Sequence, residues 1–209
     1  ANNDSYTVSE GGTLNQSAAG ILINDTDAEN NTLTAILINS VSYGTHTLSS
    51  DGSFTYVHDG GESSIDNFTY KTNDGTTDSN TGTVTISISS VNDPPVITDV
   101  IGSGAEGYTI TTTLIATDVD DTDQNNFTFS IVTLPTNILD TVSIATPIYS
   151  SGTFSAVATY THNGSESISD SFTYKANDGN DDSNSAKATI TITPVNDPPE
   201  LTSINSLMT

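Results

Sequence analysis

The chain contains neither cysteine nor tryptophan, and its only basic residues besides three histidines are three lysines. Without cysteine it has no disulfide bonds and no thiolate ligands for zinc. Three lysines against 26 acidic residues give a formal net charge of −23, which excludes the basic surfaces that bind nucleic acid or anionic membranes. No segment approaches the ~18 to 20 consecutive apolar residues of a transmembrane helix, so we expect no direct membrane insertion.

These absences limit the ways in which the protein can be stabilised. Small secreted domains without disulfides are commonly held together by bound metal. So many carboxylates on one chain repel each other unless cations balance them, which also favours metal binding. The N-terminus shows no signal peptide, and residues 200–209 resemble the start of a further copy, so we expect the chain to be an excerpt from a longer array.

The sequence repeats itself. Asn92–Pro95 returns as Asn196–Pro199, a shift of 104 residues (196 − 92). Phe68–Gly75 returns as Phe172–Gly179 at the same shift and with a single substitution. Toward the start of each copy the shift becomes smaller, so the copies differ by insertions in their loops, where insertions are tolerated.

A length of 209 residues suits two domains of about 100 residues each. We therefore divide the chain into a first repeat at 1–95, a second at 96–199, and a remnant at 200–209 that begins a truncated next repeat or forms a tail. Each repeat ends in Asn-Asp-Pro-Pro. Paired prolines donate no ladder hydrogen bonds and keep the preceding residue extended, so this connection is expected to be short and stiff.

Alternation of apolar and polar side chains predicts β-strands in both repeats. The clearest examples are Thr83–Ser89 and its counterpart Lys187–Thr193. Shorter strands are expected at Gly20–Ile23 and Val142–Tyr149 among others, whereas Gly102–Ala105 is expected to be a turn. About seven short strands per hundred residues, without helical periodicity, predict an all-β fold of two tandem seven-stranded Greek-key β-sandwiches.

Acidic residues recur at matched places in the two repeats: a Glu after the first strand, an Asp-x-Asp, a Glu after a glycine turn, and an Asn-Asp-Gly. Calcium takes six to eight oxygen ligands from carboxylates, amide carbonyls and water. A single Asp-x-Asp means little in a chain this acidic. Several such elements repeating together favour calcium binding.

Four segments of the first repeat resemble cadherin motifs in their order and spacing, namely Val8–Gly11, Asp25–Asp27, Thr72–Gly75 and Val91–Pro95. More closely, they resemble the cadherin-like tandem repeats of large calcium-dependent bacterial surface adhesins of the RTX type, which are exported by type I secretion. The resemblance covers both copies. It implies a cadherin/immunoglobulin-like sandwich, an extracellular location on the bacterial cell surface, and a part in cell adhesion and biofilm formation.

In that family calcium lies between consecutive domains, and the resemblance implies which residues bind it. At the junction of the two repeats the ligands would be Glu10, Glu62, Asn92, Asp93, Asp118, Asp120 and Asp178, with Asn125 as a further candidate. A preceding repeat would share ions with Asp25, Asp27 and Asp74, and a following one with Glu106, Glu166, Asn196 and Asp197. Asp66 is an alternative to Glu62.

The chain departs from the family pattern at two ligand positions. Ser90 and Pro194 stand where the family has an acid two residues before the linker Asn. Pro94 and Pro198 stand where the family has an Asn ligand after the linker Asp. Fewer ligands hold fewer ions, and we expect one or two calcium ions per junction.

No motif suggests catalysis. His58 and His162 occupy equivalent positions in the two repeats, which indicates a structural role, and His46 is the only other histidine. Carboxylate pairs leave a glycosidase open by residue type, but tryptophan, a usual platform for sugars, is absent. The chain is therefore not expected to be an enzyme.

The expected function is that of calcium-rigidified extender repeats in a large adhesin, which space a distal ligand-binding domain from the cell. The partners would be neighbouring repeats of the same chain, and the chain would be a monomer. The alternative is an adhesive module that binds polysaccharide, or associates with another adhesin molecule, in a calcium-dependent way.

Overall fold

The computed structural model of the protein describes residues 1–199. The remnant at 200–209 lies outside the described residues. The chain divides into two compact units, Ala1–Val91 and the residues from Asn92 onward, and each is described by itself. The prediction of an all-β fold is confirmed, because every regular element of the described residues is a strand except one 3₁₀ turn. Between residues 1 and 199, no helix is long and apolar enough to cross a membrane.

The first unit has seven strands in two sheets. The strands are β1 (Asp4–Ser9), β2 (Thr13–Gln16), β3 (Thr34–Asn39), β4 (Gly44–Leu48), β5 (Phe54–His58), β6 (Ile65–Asn73) and β7 (Gly82–Ser89). One sheet has the order β1-β7-β6-β3 and the other the order β2-β5-β4. This is the predicted seven-stranded sandwich.

The core of the first unit lies between these sheets and follows the alternation of the sequence. Every second residue of β7 is buried, as its apolar–polar pattern predicts. Phe54 of one sheet packs edge-to-face on Phe68 of the other, with ring centroids 5.3 Å apart. Aliphatic residues of β7 and the tyrosines of β5 and β6 complete the cluster.

In the first unit the strand predicted at Gly20–Ile23 is wrong, and one observed strand was not predicted. The segment Gly20–Leu22 is a 3₁₀ turn, and its Ile21 enters the core from this turn, fully buried. Gly20 has φ +52° and lies so close to Gly52 that a Cβ would meet the Gly52 carbonyl oxygen at 1.9 Å. Strand β2 was not predicted, because its sequence Thr-Leu-Asn-Gln has only one apolar residue and no alternation to read.

The second unit follows the same plan with two additions. Its strands are β8 (Val96–Ile97), β9 (Val100–Ala105), β10 (Thr109–Thr117), β11 (Thr128–Thr133), β12 (Ser143–Ile144), β13 (Ile148–Ser150), β14 (Thr153–Thr161), β15 (Ser169–Asn177) and β16 (Ala186–Thr193). One sheet has the order β12-β14-β10-β8, with β13 also paired to β14. The other has the order β11-β15-β16-β9.

Differences from the sequence-based strands of the second unit have local causes. The strand predicted at Val142–Tyr149 is split into β12 and β13, with Pro147 between them. Proline cannot donate a ladder hydrogen bond, so it interrupts pairing with β14. Gly102–Ala105 is the end of strand β9 and not a turn, which corrects the expectation from its glycines.

In both units the first long strand runs parallel to the last one, and this pairing positions the early glutamates. Ser9 pairs with Ser89 in the first unit, and Ala105 with Thr193 in the second. Glu10 and Glu106 come directly after these pairs. Their backbone N–H groups donate to the carbonyls of Ser89, at 2.9 Å, and of Thr193, at 3.0 Å. Each glutamate therefore lies beside the end of the repeat's last strand.

Candidate metal sites

The two early glutamates have the same hydrogen bond in both units. One carboxylate oxygen of Glu10 accepts from the backbone N–H of Val91 at 3.2 Å, and one of Glu106 accepts from Val195 at 3.3 Å. The other oxygen of Glu10, Oε1, is screened from solvent and has no hydrogen-bond partner. A buried carboxylate oxygen without a donor is costly, and a bound cation would remove that cost.

The second unit brings three of the predicted ligands together near its last strand. Glu106, Glu166 and Asp197 each place one carboxylate oxygen within 4.8 Å of the others. Glu106 is 4% exposed, whereas the other two are exposed. The negative charge of Glu106 raises the pKa of Glu166, with smaller contributions from burial and from Asp197. Three carboxylates that repel one another in this way form a cluster suited to a hard divalent cation.

The fourth residue predicted for this cluster, Asn196, directly precedes Asp197 in the sequence. Its side-chain amide donates to the backbone carbonyl of Asp197 at 3.2 Å. Glu62, the counterpart of Glu166 in the first unit, lies on an exposed loop after β5. Both residues keep their places as predicted ligands.

At the other end of the second unit, the linker residues contact two of the predicted acids. The side-chain amide of Asn92 donates to Asp178 at 2.9 Å and to Asp181 at 3.1 Å. The backbone N–H of Asp93 donates to Asp120 at 2.6 Å. Burial of Asp178 would raise its pKa, but hydrogen bonds from the Asp181 backbone and from Asn92 outweigh it and lower the pKa.

Asp118 is held in place by its own loop and keeps one oxygen free. Its Oδ1 accepts from the backbone N–H groups of Asp120 and Asp121, each at 2.9 Å. Its Oδ2 is buried and has no hydrogen-bond partner. Together with Glu10, this is the second orphaned carboxylate oxygen among the predicted ligands, so the residues present fit a calcium ion.

Sequence reasoning did not select Asp181 as a site residue. It accepts from Asn92 at 3.1 Å and follows Asp178 by three residues. The sequence does show Asp181 as the second acidic residue of the segment Asn177–Asp181. The first repeat, however, has Thr77 at the matching position. A search restricted to shared positions therefore missed it.

The first unit contains three further predicted ligands, Asp25, Asp27 and Asp74. Each accepts hydrogen bonds from other residues of the same unit. Asp25 accepts from the backbone N–H of Asn2 at 2.6 Å and from the hydroxyl of Tyr70 at 3.0 Å. Asp27 and Asp74 each accept two backbone N–H groups from residues two to four positions ahead. These bonds, led by that from Thr77, lower the pKa of Asp74. Asp25 and Asp27 also line an open cavity of about 860 Å³.

Asp66, the alternative to Glu62, has a different role. It is 2% exposed, and its two oxygens accept from the backbone N–H groups of Ser42 and Tyr43 and from the hydroxyl of Tyr56. Asp170 accepts from the equivalent loop of the second unit. Because its oxygens are already used by N–H and O–H donors, Asp66 is a structural residue of the sandwich and not a candidate ligand.

Comparison with known protein families agrees with this architecture. Residues 1–90 match the family of bacterial cadherin-like domains, and residues 92–193 match the family of bacterial Ig domains. Among curated proteins, none gives a significant match to the chain.

Solved structures show the same fold. The human CDH23 EC21-23 structure matches with a TM-score of 0.54 and 17% identity, covering 92% of this chain and 70% of that one. The human desmocollin-1 ectodomain matches with a TM-score of 0.53 and 13% identity, covering 96% of this chain and 42% of that one. An endo-fucoidan hydrolase of glycoside hydrolase family 107 matches at a TM-score of 0.37 and 17% identity. That match covers 93% of this chain and 28% of the hydrolase, and its score is too low to support an argument.

Proposed function

We propose that the two repeats are calcium-rigidified extenders of a large bacterial cell-surface adhesin, because residues 1–90 match the bacterial cadherin-like domains and residues 92–193 match the bacterial Ig domains. They space a distal ligand-binding domain from the cell, and the protein is secreted by the type I route of RTX-type adhesins. Domains of these two families are typically not enzymes, and the proposal assigns no catalytic residue.

The observation that carries the proposal is the carboxylate cluster of Glu106, Glu166 and Asp197. Each of these residues was named from the sequence as a calcium ligand, and the three come from segments far apart in the chain. Their mutual repulsion, expressed in the raised pKa of Glu166, is a cost that a divalent cation would turn into a gain. The orphaned oxygens of Glu10 and Asp118 add a second line of support.

Calcium is the cation that this donor set suits best. The available ligands are carboxylate and amide oxygens, without cysteine and without a histidine among them, which disfavours zinc and copper. Extracellular calcium modules bind at about 10⁻⁴ to 10⁻³ M. In the proposal consecutive repeats share the ions, so calcium joins neighbours that would otherwise repel each other and converts a flexible array into a stiff one.

The proposal is tested on the full chain in about 5 mM calcium against chelator, using thermal melting and small-angle scattering. Calcium should raise the free energy of unfolding by about 1 to 2 kcal/mol per site, and with it the melting temperature, and should increase the maximum dimension. Sodium chloride and magnesium at the same ionic strength serve as controls, because they screen the charge without fitting the sites. Equal melting curves and equal scattering with calcium and with chelator would refute it.

A single substitution makes this test specific. In Asp118→Asn the side-chain oxygen can still accept the two backbone N–H groups of its loop, while the orphaned oxygen becomes an amide donor. We expect the variant to melt like the parent in chelator and to lose part of the calcium-dependent gain. An unchanged calcium response would remove Asp118 from the ligand set.

One observation favours the alternative, an adhesive module. Strand β3 lies at the edge of its sheet and exposes Ile36, Leu37 and Ile38 at 39 to 43%, and the matching edge strand β11 exposes Val132 at 49%. Exposed aliphatic edges can pair with another chain. Sedimentation velocity and a glycan array, both in calcium, test this function, since an extender stays monomeric and binds no glycan.

A further inference from the structure

His58 and His162 make equivalent hydrogen bonds in the two units, and His58 Nε2 also lies 3.7 Å from the carboxylate of Asp59. The Nδ1 atom of His58 accepts from the backbone N–H groups of Gly11, at 3.1 Å, and Gly60, at 3.2 Å. The Nδ1 atom of His162 accepts from Gly107, at 3.3 Å, and Gly164, at 3.2 Å. The two histidine residues are 3% and 0% exposed, so these bonds are shielded from water.

The contacts fix which nitrogen carries the proton. An Nδ1 that faces two N–H donors accepts through its lone pair, which leaves the ring proton on Nε2. Nε2 then donates to a serine hydroxyl at 3.0 Å, Ser63 in the first unit and Ser167 in the second. Each histidine therefore holds three backbone or side-chain groups in one geometry.

The groups that the ring joins belong to the two segments that carry predicted calcium ligands. Gly107 directly follows Glu106, while Gly164 and Ser167 flank Glu166 on the other segment. In the first unit Gly11 follows Glu10, and the loop from Gly60 to Ser63 contains Glu62. The four glycines have φ between +60° and +84°, which is the conformation that turns their N–H groups toward the ring.

Without such a link, the two segments would be driven apart. Glu106 and Glu166 place carboxylate oxygens within 4.8 Å of each other and of Asp197, and charges of one sign at this distance repel. A buried ring that is hydrogen-bonded to both segments opposes this separation. The segments are therefore already ordered when the sandwich has folded, before any metal binds. The metal then meets acids already held at ligand spacing, which lowers the ordering cost of binding.

We infer that His58 and His162 are positioning residues for calcium, whose Nδ1 atoms clamp the early-glutamate turn to the loop that bears the second glutamate. This inference rests on the proposed calcium function. The histidines do not bind the ion. They act by holding the two segments that carry the ligands. Loss of residues that orient metal ligands in this way commonly weakens metal binding about 10- to 100-fold.

Two substitutions separate the clamp from simple space filling. Asparagine places its side-chain oxygen near the position of Nδ1 and keeps the acceptor, whereas glutamine extends its amide toward the position of Nε2 and loses the Nδ1 acceptor. In the full chain we expect His58→Gln and His162→Gln to weaken calcium binding about tenfold by calorimetry, and the Asn variants to retain most of it. His46→Gln is the matched control, because His46 stacks on Phe68 and contacts neither segment.

The outcomes are distinguishable. If the parent chain binds no calcium, the proposed function fails and the clamp fails with it. If the parent binds calcium and the Gln and Asn variants bind it equally well, or weaken it equally with equal losses of melting temperature, the clamp is wrong while the proposed function stands. Nitrogen chemical shifts of the parent's histidines give an independent check, since a proton on Nδ1 would overturn the inference in the folded protein itself.

Discussion

At the scale of single residues, Asp66 of the first repeat and Asp118 of the second differ in the source of the hydrogen bonds that they accept. Asp66 receives bonds from a distant loop and from the core tyrosine Tyr56, and both of its oxygens are used. Asp118 receives bonds only from its own loop and keeps one buried oxygen without a donor. The same residue type therefore serves the fold at one position and is available to a cation at the other.

The role of Asp66 leads to a pH-dependent prediction. Burial would raise its pKa, but the N–H groups of Ser42 and Tyr43 outweigh it, so the folded pKa is lowered. A lowered pKa contributes stability that is present above the unfolded value of about 3.9 and is lost as the pH falls through the folded value. Asp66→Asn should lower the free energy of unfolding, measured with urea at pH 7, by about 1 to 3 kcal/mol, because a buried donor loses its acceptor. The loss should be the same in calcium and in chelator.

At pH values below the folded pKa of Asp66, the gap between parent and variant should narrow, since the parent's carboxyl is then protonated as well. Asp140→Asn, the loss of an exposed acid in the other repeat, is the control and should change little. A gap that stayed constant down to pH 2, or that depended on calcium, would contradict this account.

Substitution of Glu166 should affect the melting temperature differently in chelator and in calcium. Its pKa is raised, chiefly by the charge of Glu106, so its ionised form costs stability when no cation is bound. Glu166→Gln removes this repulsion and should raise the melting temperature in chelator. In calcium the same variant lacks a ligand and should gain less from the ion than the parent does.

The control for Glu166→Gln is again Asp140→Asn, which removes one negative charge of the same repeat away from the cluster. If both variants shift the melting temperature in the same direction in both conditions, the effect is one of net charge alone. The carboxylate cluster would then have no specific role.

At the scale of elements, glycines decide how closely strand β9 packs on β10. A Cβ on Gly104 would lie 2.4 Å from Cγ1 of Ile110, a side chain that is 2% exposed. Neither Gly102 nor Gly104 has a positive φ, so their role is the close approach of the two strands and not a turn. This is why a glycine-containing segment that suggested a turn forms a paired strand.

Gly104→Val therefore tests packing without backbone strain. We expect a loss of about 1 to 3 kcal/mol in the free energy of unfolding of the second unit, because Ile110 must leave its position in the core. Ser103→Val, on the exposed neighbouring residue of the same strand, should be close to neutral. Equal effects of the two substitutions in urea unfolding would argue against the close approach.

At the scale of the whole molecule, the net charge of −23 sets the balance between repulsion and cation binding. Two of the three lysines are already committed to local ion pairs, Lys71 with Asp78 and Lys175 with Asp182, each close to its own repeat's Asn-Asp-Gly turn. The acids of the predicted calcium sites therefore have no lysine among these pairs to neutralise them. Besides Lys187, metal ions from solution are the main remaining source of positive charge, which is why we expect calcium to act on the whole array.

The sequence alone determined the repeat, the all-β sandwich and most of the candidate ligands. Alternation in Thr83–Ser89 is a local property, and a strand buried on one face must follow it. The acids of the cluster could be named because they recur at matched positions in two copies. The same recurrence indicated a structural role for His58 and His162, and the structure shows both residues buried and hydrogen-bonded to backbone N–H groups.

Tertiary structure decided that Asp66 has a structural role. Nothing local in the sequence marks Asp66 as structural, and a loop 24 residues away supplies the N–H groups that its carboxylate accepts. The turn at Gly20–Leu22 and the strand at Val100–Ala105 were likewise set by distant partners, Gly52 and Ile110. A sequence pattern reports the surroundings that a residue prefers, whereas the donors and neighbours that it meets are fixed only when remote segments pack together.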